Sequence, residues 1–265
     1  MLLCIDIGNT NIKLGLFDQD EQIRFHWRIA TDRSRLTDEY AMLILDLLAS
    51  EGLALQEIDG CAISSVVPAL TEVFSELSER YLKVDPLVLR PGTKTGMRIG
   101  TDYPAEVGPD LIANALAARL LYGVPVIVIG FGTATTFFGV SREGELLGGA
   151  IAPGILTSAD SLIRATATLP QVALSRPPAA IGKNTINSLQ SGLIYGFTGL
   201  VKELVGRIQA ELGGDARVIA TGGLASLIAP ETDVIDAVEP DLALIGLRLF
   251  YQLNRGESPQ DRAAI

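Results

Sequence analysis

The chain is poor in the side chains that many enzymes depend on. Histidine occurs once in 265 residues, at His26. A multi-histidine metal centre is therefore excluded, and any Ser-His-Asp triad would have to run through His26. That residue sits within Phe25-His26-Trp27, which reads as a half-exposed stretch of strand. The only cysteines are Cys4 and Cys61, each inside an apolar run, so they read as small buried hydrophobes in a reducing compartment. Neither a disulfide framework nor a thiolate metal site follows. Basic residues are outnumbered, 21 Lys and Arg against 31 Asp and Glu, for a net charge of −10. Nucleic acid is disfavoured as main partner, since phosphate backbones select basic surfaces; a local nucleotide site is not. No apolar stretch is long enough to span a membrane, and the N-terminus opens on a strand with an early aspartate, unlike a secretory leader. A cytoplasmic protein that contacts neither membrane nor nucleic acid is expected.

What is present is ordinary for a globular chain, 48% hydrophobic and 20% charged, and long enough for two moderate domains. The first apolar run, Leu2 to Ile7, reads as a buried strand, and Ile12 to Phe17 as a second strand after a tight turn. Gly8 and Asn9 suit the positive φ of such a turn. The connection Asp6-Ile7-Gly8-Asn9-Thr10-Asn11-Ile12-Lys13 sets a carboxylate, a hydroxyl and backbone N–H groups around one concave point. Two readings stand: a hairpin turn that happens to be polar, or a cradle for phosphate with magnesium.

A third strand over Gln22 to Ala30 follows, then a helix capped by Thr37 and closed by Gly52. A strand from Gly60 to Val67 ends in Ser64-Ser65, Pro68 opens a second helix, and Leu87 to Arg90 forms a short strand. The order βββ-α-β-α-β is similar to half of an actin-like or ribonuclease-H-like fold. After a loop over residues 91–107, Gly108-Pro109-Asp110 opens a helix. Asp110 is either an ordinary first-turn acid or a carboxylate aimed into a cleft.

The second half repeats the opening. Val124 to Ile129 is a β-branched run ending in Gly130-Phe131-Gly132-Thr133-Ala134-Thr135-Thr136, and two more strands follow. A Rossmann fingerprint is excluded because its third glycine is missing and no helix follows. A Walker A loop is excluded because Gly182-Lys183-Asn184-Thr185 has Pro177 where that motif needs glycine. The spacing predicts a long helix from Asn184 to about Leu212, with Gly192, Gly196 and Gly199 on one face, for packing within the chain or across a dimer. Thr221-Gly222-Gly223 ends another strand, where backbone can approach a nucleotide closely.

Taken together, the chain resembles the type III pantothenate kinases of the acetate and sugar kinase/Hsp70/actin superfamily. The motifs are Asp6 to Thr10, Ser64 to Pro68, Glu106 to Asp110, Gly132 to Thr136, Gly148 to Gly154, Gly182 to Thr185 and Thr221 to Ala225. The resemblance implies an α/β fold of two ribonuclease-H-like (actin-like) domains with a cleft between them, at 1–115 and 116–254, with 255–265 a disordered tail. It implies ATP-dependent phosphorylation of pantothenate by a homodimer, with Mg-ATP and a monovalent cation, potassium or ammonium. By resemblance, Asp6 to Lys13 hold the ATP phosphates, with Asp6 beside magnesium, while Thr133, Thr221, Gly222 and Gly223 also contact ATP. Asp110 is the general base; Gly108, Pro109, Asp110, Leu111, Thr101 and Thr185 line the substrate site.

The departures fall on chemistry. Gly130 stands where the family has the aspartate of its monovalent-cation site, and Leu111 where it has a substrate-binding arginine. The alternative to a kinase is a catalytically impaired homologue that binds nucleotide or regulates.

Overall fold

The computed structural model describes residues 1–255; the tail expected over 255–265 falls, beyond Arg255, outside the described residues. The chain divides into two units, each built on one five-stranded sheet.

The first unit comprises Met1–Ala117 together with the chain from Leu242 onward. Its elements are β1 (Leu2–Ile7), β2 (Asn11–Phe17), β3 (Ile23–Ala30), α1 (Thr37–Ser50), β4 (Gly60–Ser65), α2 (Pro68–Leu77) and β5 (Leu87–Val88). The expected βββ-α-β-α-β order is present. The sheet runs β3-β2-β1-β4-β5, with β1 antiparallel to β2 and parallel to β4. Strand alternation sends Leu3, Ile5 and Ile7 to one face, where they join Tyr40, Ile44, Leu70 and Phe74 of α1 and α2 in the core. Cys61 lies in register with Leu3, and Cys4 with Ala62. The two buried, free thiols therefore face opposite sides of the sheet and cannot pair.

Thr37 is the first helical residue of α1 rather than its cap; its hydroxyl donates to Glu76 Oε2 at 2.7 Å. Gly52, at φ +72°, follows the helix in the left-handed conformation that favours glycine.

The second unit, Ala118–Asp241, carries β6 (Val126–Phe131), β7 (Ala134–Val140), β8 (Leu146–Pro153) and α4 (Ile155–Arg164). Then come α5 (Thr185–Leu212), β9 (Arg217–Thr221), the single-turn α6 (Ala225–Ile228) and β10 (Ala237–Val238). Its sheet runs β10-β9-β6-β7-β8. With β6 antiparallel to β7 and parallel to β9, it reproduces the first sheet strand for strand. The duplication expected from the two hairpins is real. Two residues are too few for β10 to have been read from periodicity.

Two helices complete the first unit's account. The helix α3 (Pro109–Tyr122) begins in it, and α7 (Leu242–Asn254) returns to it. The sequence reading gave α7 to the second domain because it follows that domain in the chain. Instead it lies on the first sheet. A Cβ at Gly15 would come within 2.9 Å of Leu244, and one at Gly246 within 1.9 Å of the Ala113 carbonyl, so glycine is what lets α7 approach β2 and α3. No helix among the described residues is long and apolar enough to cross a membrane.

Candidate active site

The first sheet sets three polar side chains side by side. Asp6 on β1 is in register with Lys13 on β2 and with Ser64 on β4. Residues in register project to the same face, so Lys13, Asp6 and Ser64 form a row opposite the α1/α2 core, near the C-terminal ends of β1 and β4. In open α/β sheets that end is where ligands approach.

Asp110, on the first turn of α3, comes close enough for its charge to act on Asp6. Burial, then the Asp110 carboxylate, push the Asp6 carboxyl up to about 6; Lys13 and the Ser64 hydroxyl pull it the other way. Asp110 itself is raised by burial, against the backbone N–H groups of Leu111 and Asp110 and the charge of Lys13, which lower it. Two half-buried carboxylates with one ammonium form a site that favours the arrival of further positive charge.

Unpaired atoms sharpen the picture. Asp6 Oδ1, Ser64 Oγ, Thr101 Oγ1 and Asn114 Oδ1 are buried with no hydrogen-bond partner among the described residues. Buried polar atoms are otherwise nearly always paired; of these, Asp6 and Ser64 stand side by side in register, while Ser75 Oγ and Arg248 Nε are unpaired as well. Asn114 follows Asp110 by one helical turn. Gly108 has a specific reason to be glycine: a Cβ there would lie 2.6 Å from Asp110 Oδ1, so its absence leaves room for the carboxylate.

The hairpin turn over 8–11 differs from expectation. Neither Gly8 nor Asn9 has positive φ. The turn closes through Gly8 N donating to the Asn11 carbonyl at 3.0 Å, and a Cβ at Gly8 would meet that same oxygen at 3.0 Å. Glycine is there for space rather than for handedness. The segment after β3 braces the turn: Thr31 Oγ1 donates to the Gly8 carbonyl at 2.7 Å, and Arg33 Nη2 to Asn9 Oδ1 at 2.9 Å. Asn9, Thr10 and Asn11 are exposed at its tip, while Ile7 and Ile12 are buried beneath it.

In the second unit the matching row is Thr136–Gly130–Thr221, by the registers of β7, β6 and β9. Gly130 occupies the position of Asp6 and offers no ligand. A Cβ there would lie 2.7 Å from Thr136 Oγ1. Thr133 is exposed at the turn, and its carbonyl accepts from Gly154 N at 3.0 Å and from Thr157 Oγ1 at 2.7 Å. Gly222 has φ +97°, and a Cβ on it would meet the Phe131 carbonyl at 2.4 Å. Thr221-Gly222 thus folds against the end of β6, with Gly223 beside it. Thr185 is the exposed first residue of α5, after Asn184, whose side chain accepts from Asn187 N.

Among the described residues no group of three or more His, Cys, Asp or Glu could hold a metal ion. Magnesium needs no such cage. It is commonly held by one or two carboxylates together with substrate phosphates and water, and the Asp6 carboxylate, beside which a ligand could complete the row, fits that pattern. Position 130, a glycine, offers no side-chain ligand to a monovalent cation.

The sequence matches the family model described as type III pantothenate kinase over residues 2–207. A type III pantothenate kinase from Roseiflexus sp. (strain RS-1) is 58% identical over 255 residues, covering 96% of this chain and 100% of the relative. The chain belongs to the type III pantothenate kinase family. Among solved structures, a Campylobacter jejuni protein described as a Baf family transcriptional activator has TM-score 0.61 at 20% identity, covering 95% of this chain and 98% of that one. A Sinorhizobium meliloti protein described as a 2-dehydro-3-deoxygalactonokinase has TM-score 0.59 at 14% identity, over 98% and 97%. At those identities the likeness concerns the fold alone, an α/β architecture built on two five-stranded sheets.

Within the first unit of this pantothenate kinase family member, Asp6, Lys13 and Asp110 act on one another electrostatically. Thr133, Gly130 and Thr221 to Gly223 sit about the ends of β6, β7 and β9 in the second. Ser64, Asn114, Thr31 and Arg33 were not among the sequence-derived site residues. Ser64 alone had a usable signal, its place at the end of a strand predicted to be buried.

Proposed function

We propose that the chain transfers the γ-phosphoryl group of Mg-ATP to the primary hydroxyl of pantothenate. The product is 4'-phosphopantothenate, and the reaction is the first step toward coenzyme A. The observation that carries this reading, beside family membership, is the juxtaposition of Asp6, Lys13 and Asp110. When bound, magnesium would neutralise phosphate charge and hold the phosphates in line. Asp6 would be its protein ligand, with the 8–11 turn presenting backbone N–H groups to the phosphates and Lys13 adding positive charge. Thr133, Thr221, Gly222 and Gly223 are assigned to ATP by the family resemblance alone.

Asp110 would accept the proton of the pantothenate hydroxyl as it attacks. Burial holds its pKa above the ordinary carboxylate value, which makes it a stronger base than a solvated aspartate. Gly108 would keep that carboxylate's place open. Pro109, Leu111, Thr101 and Thr185 would line the pantothenate site, with Leu111 packing where an arginine would otherwise pair. Phosphoryl transfer asks little of a protein beyond such positioning and charge.

A homodimer is part of the proposal. Cβ atoms at Gly192, Gly196 and Gly199 would meet nothing within 4 Å, so this face of α5 is not covered by the described residues, and Ile186 beside it is 50% exposed. The cytoplasm would be its place of action. No role is given to potassium or ammonium at position 130.

The test is ATP-dependent formation of 4'-phosphopantothenate by the purified protein, read by mass. The unaltered protein should form it, and Asp110→Asn should lower kcat at least a hundredfold. An unaltered protein that binds Mg-ATP yet yields no product would refute the assignment.

A further inference from the structure

The paired serines at the end of β4 have different fates. Ser65 builds the turn into α2: its Oγ donates to the Val67 carbonyl at 3.0 Å and accepts from Val67 N at 3.1 Å. Ser64 is fully buried, and its hydroxyl makes no well-formed hydrogen bond among the described residues, yet it lies close enough to the Asp6 carboxyl to draw that group's pKa down. A buried hydroxyl without a partner costs stability that an alanine would not. It lies in register beside Asp6, whose Oδ1 is unpaired in the same way.

The second sheet supplies an internal comparison. Thr221 stands in the place of Ser64, beside Gly130 rather than a carboxylate. There the hydroxyl is engaged, donating to the Pro240 carbonyl at 3.5 Å. The hydroxyl is left without a backbone partner only in the row that contains the carboxylate.

We propose that Ser64 is a positioning residue for the divalent cation: its hydroxyl donates to Asp6 Oδ1 when the site fills, fixing the carboxylate so that its other oxygen is presented to the metal. This rests on the kinase reading for the identity of the metal-nucleotide complex, but not on pantothenate as acceptor. Ser64 itself touches neither substrate nor metal. Its loss should weaken metal binding rather than the chemistry at Asp110.

The experiment compares the unaltered protein with Ser64→Ala and Ser64→Cys. The second variant keeps nearly the same volume but replaces the hydroxyl by a weak donor. Mn2+ binding is followed by the electron paramagnetic resonance of the free ion, with a non-hydrolysable ATP analogue present. Thermal midpoints are taken in EDTA without nucleotide. Expected are a midpoint for Ser64→Ala equal to or above that of the unaltered protein, and a five- to tenfold weaker Mn2+ affinity in both variants. The Mg2+ concentration for half-maximal rate should rise in parallel, while KM for pantothenate stays within twofold. Mn2+ affinities within twofold of the unaltered protein would overturn the inference. So would a lowered midpoint accompanied by an equal loss of metal-free nucleotide binding, which marks a structural role. Weakened Mn2+ binding in a protein that makes no phosphopantothenate would uphold it and refute only the acceptor.

Discussion

Replacing Asp6 by asparagine should stabilise the protein while abolishing its activity. Asp6 is half-buried beside a second carboxylate, and its pKa stands at about 6 rather than the ordinary 3.8. The folded state therefore holds the proton more tightly than the unfolded chain does. Above pH 6 the folded protein carries a charge it would be more stable without. At 1.36 kcal/mol for each pH unit, the rise from 3.8 to about 6 amounts to about 3 kcal/mol. As pH falls through 6 that penalty shrinks, and below about 4 both states are protonated and it is gone. Asparagine removes the charge, and its amide can donate to the unpaired Ser64 hydroxyl. Urea denaturation in EDTA, without nucleotide, should therefore show Asp6→Asn more stable by about 3 kcal/mol at pH 7.5, and level with the unaltered protein near pH 4. Each kcal/mol moves the midpoint of a chain of this length by about 2–4 °C, so the melting gain is about 6–12 °C. Mass-detected turnover should fall at least a hundredfold. A variant no more stable at pH 7.5, or a gain that persists undiminished at pH 4, would refute the account of Asp6.

Further outcomes follow from the same geometry. Gly108→Ala puts a methyl group within 2.6 Å of the present position of Asp110 Oδ1; displacing the base should cost about 10–100-fold in kcat, with the circular dichroism spectrum unchanged. Gly222→Ala forces a side chain into φ +97° and against the Phe131 carbonyl, and should destabilise by about 2 kcal/mol or more, read by urea titration. With Gly130 in place of a carboxylate, initial rates in potassium, ammonium and choline chloride at equal ionic strength should agree within about twofold; each tenfold preference for one ion would require about 1.4 kcal/mol of selective binding, which a missing side chain cannot supply.

The fold was legible because it rests on signals that survive without tertiary context. The apolar run of β6, the small residues of the two hairpins and the helical periodicity kept through the 28 residues of α5 each specify their element locally. What escaped depends on which elements meet. The helix α7 lies on the first sheet where Gly15, Gly60 and Gly246 leave it room; their role is invisible until the partner is known. Gly8 was misread for a related reason. A glycine in a turn signals either handedness or lack of room, and the pattern of residues does not separate the two. Likewise the site was legible where function resides in a charged side chain, as at Asp6, Lys13 and Asp110. It was not legible at Ser64 or Asn114, whose significance is the absence of a partner.

The duplicated sheets tie these observations to one division of labour. Each unit ends its central strand in a glycine-containing hairpin, and each aligns a row of three residues across the neighbouring strands: Lys13–Asp6–Ser64 in one, Thr136–Gly130–Thr221 in the other. The same topology builds both, so the difference lies in the side chains alone. The first row holds both of the charged groups and an unpaired hydroxyl, at a cost in stability carried by the half-buried Asp6. The second row is neutral, with Thr221 bonded to backbone. Concentrating charge in one copy of the hairpin and removing it from the other lets a repeated scaffold present two different surfaces, and it explains why the carboxylate position of the second copy can be glycine without loss of the fold.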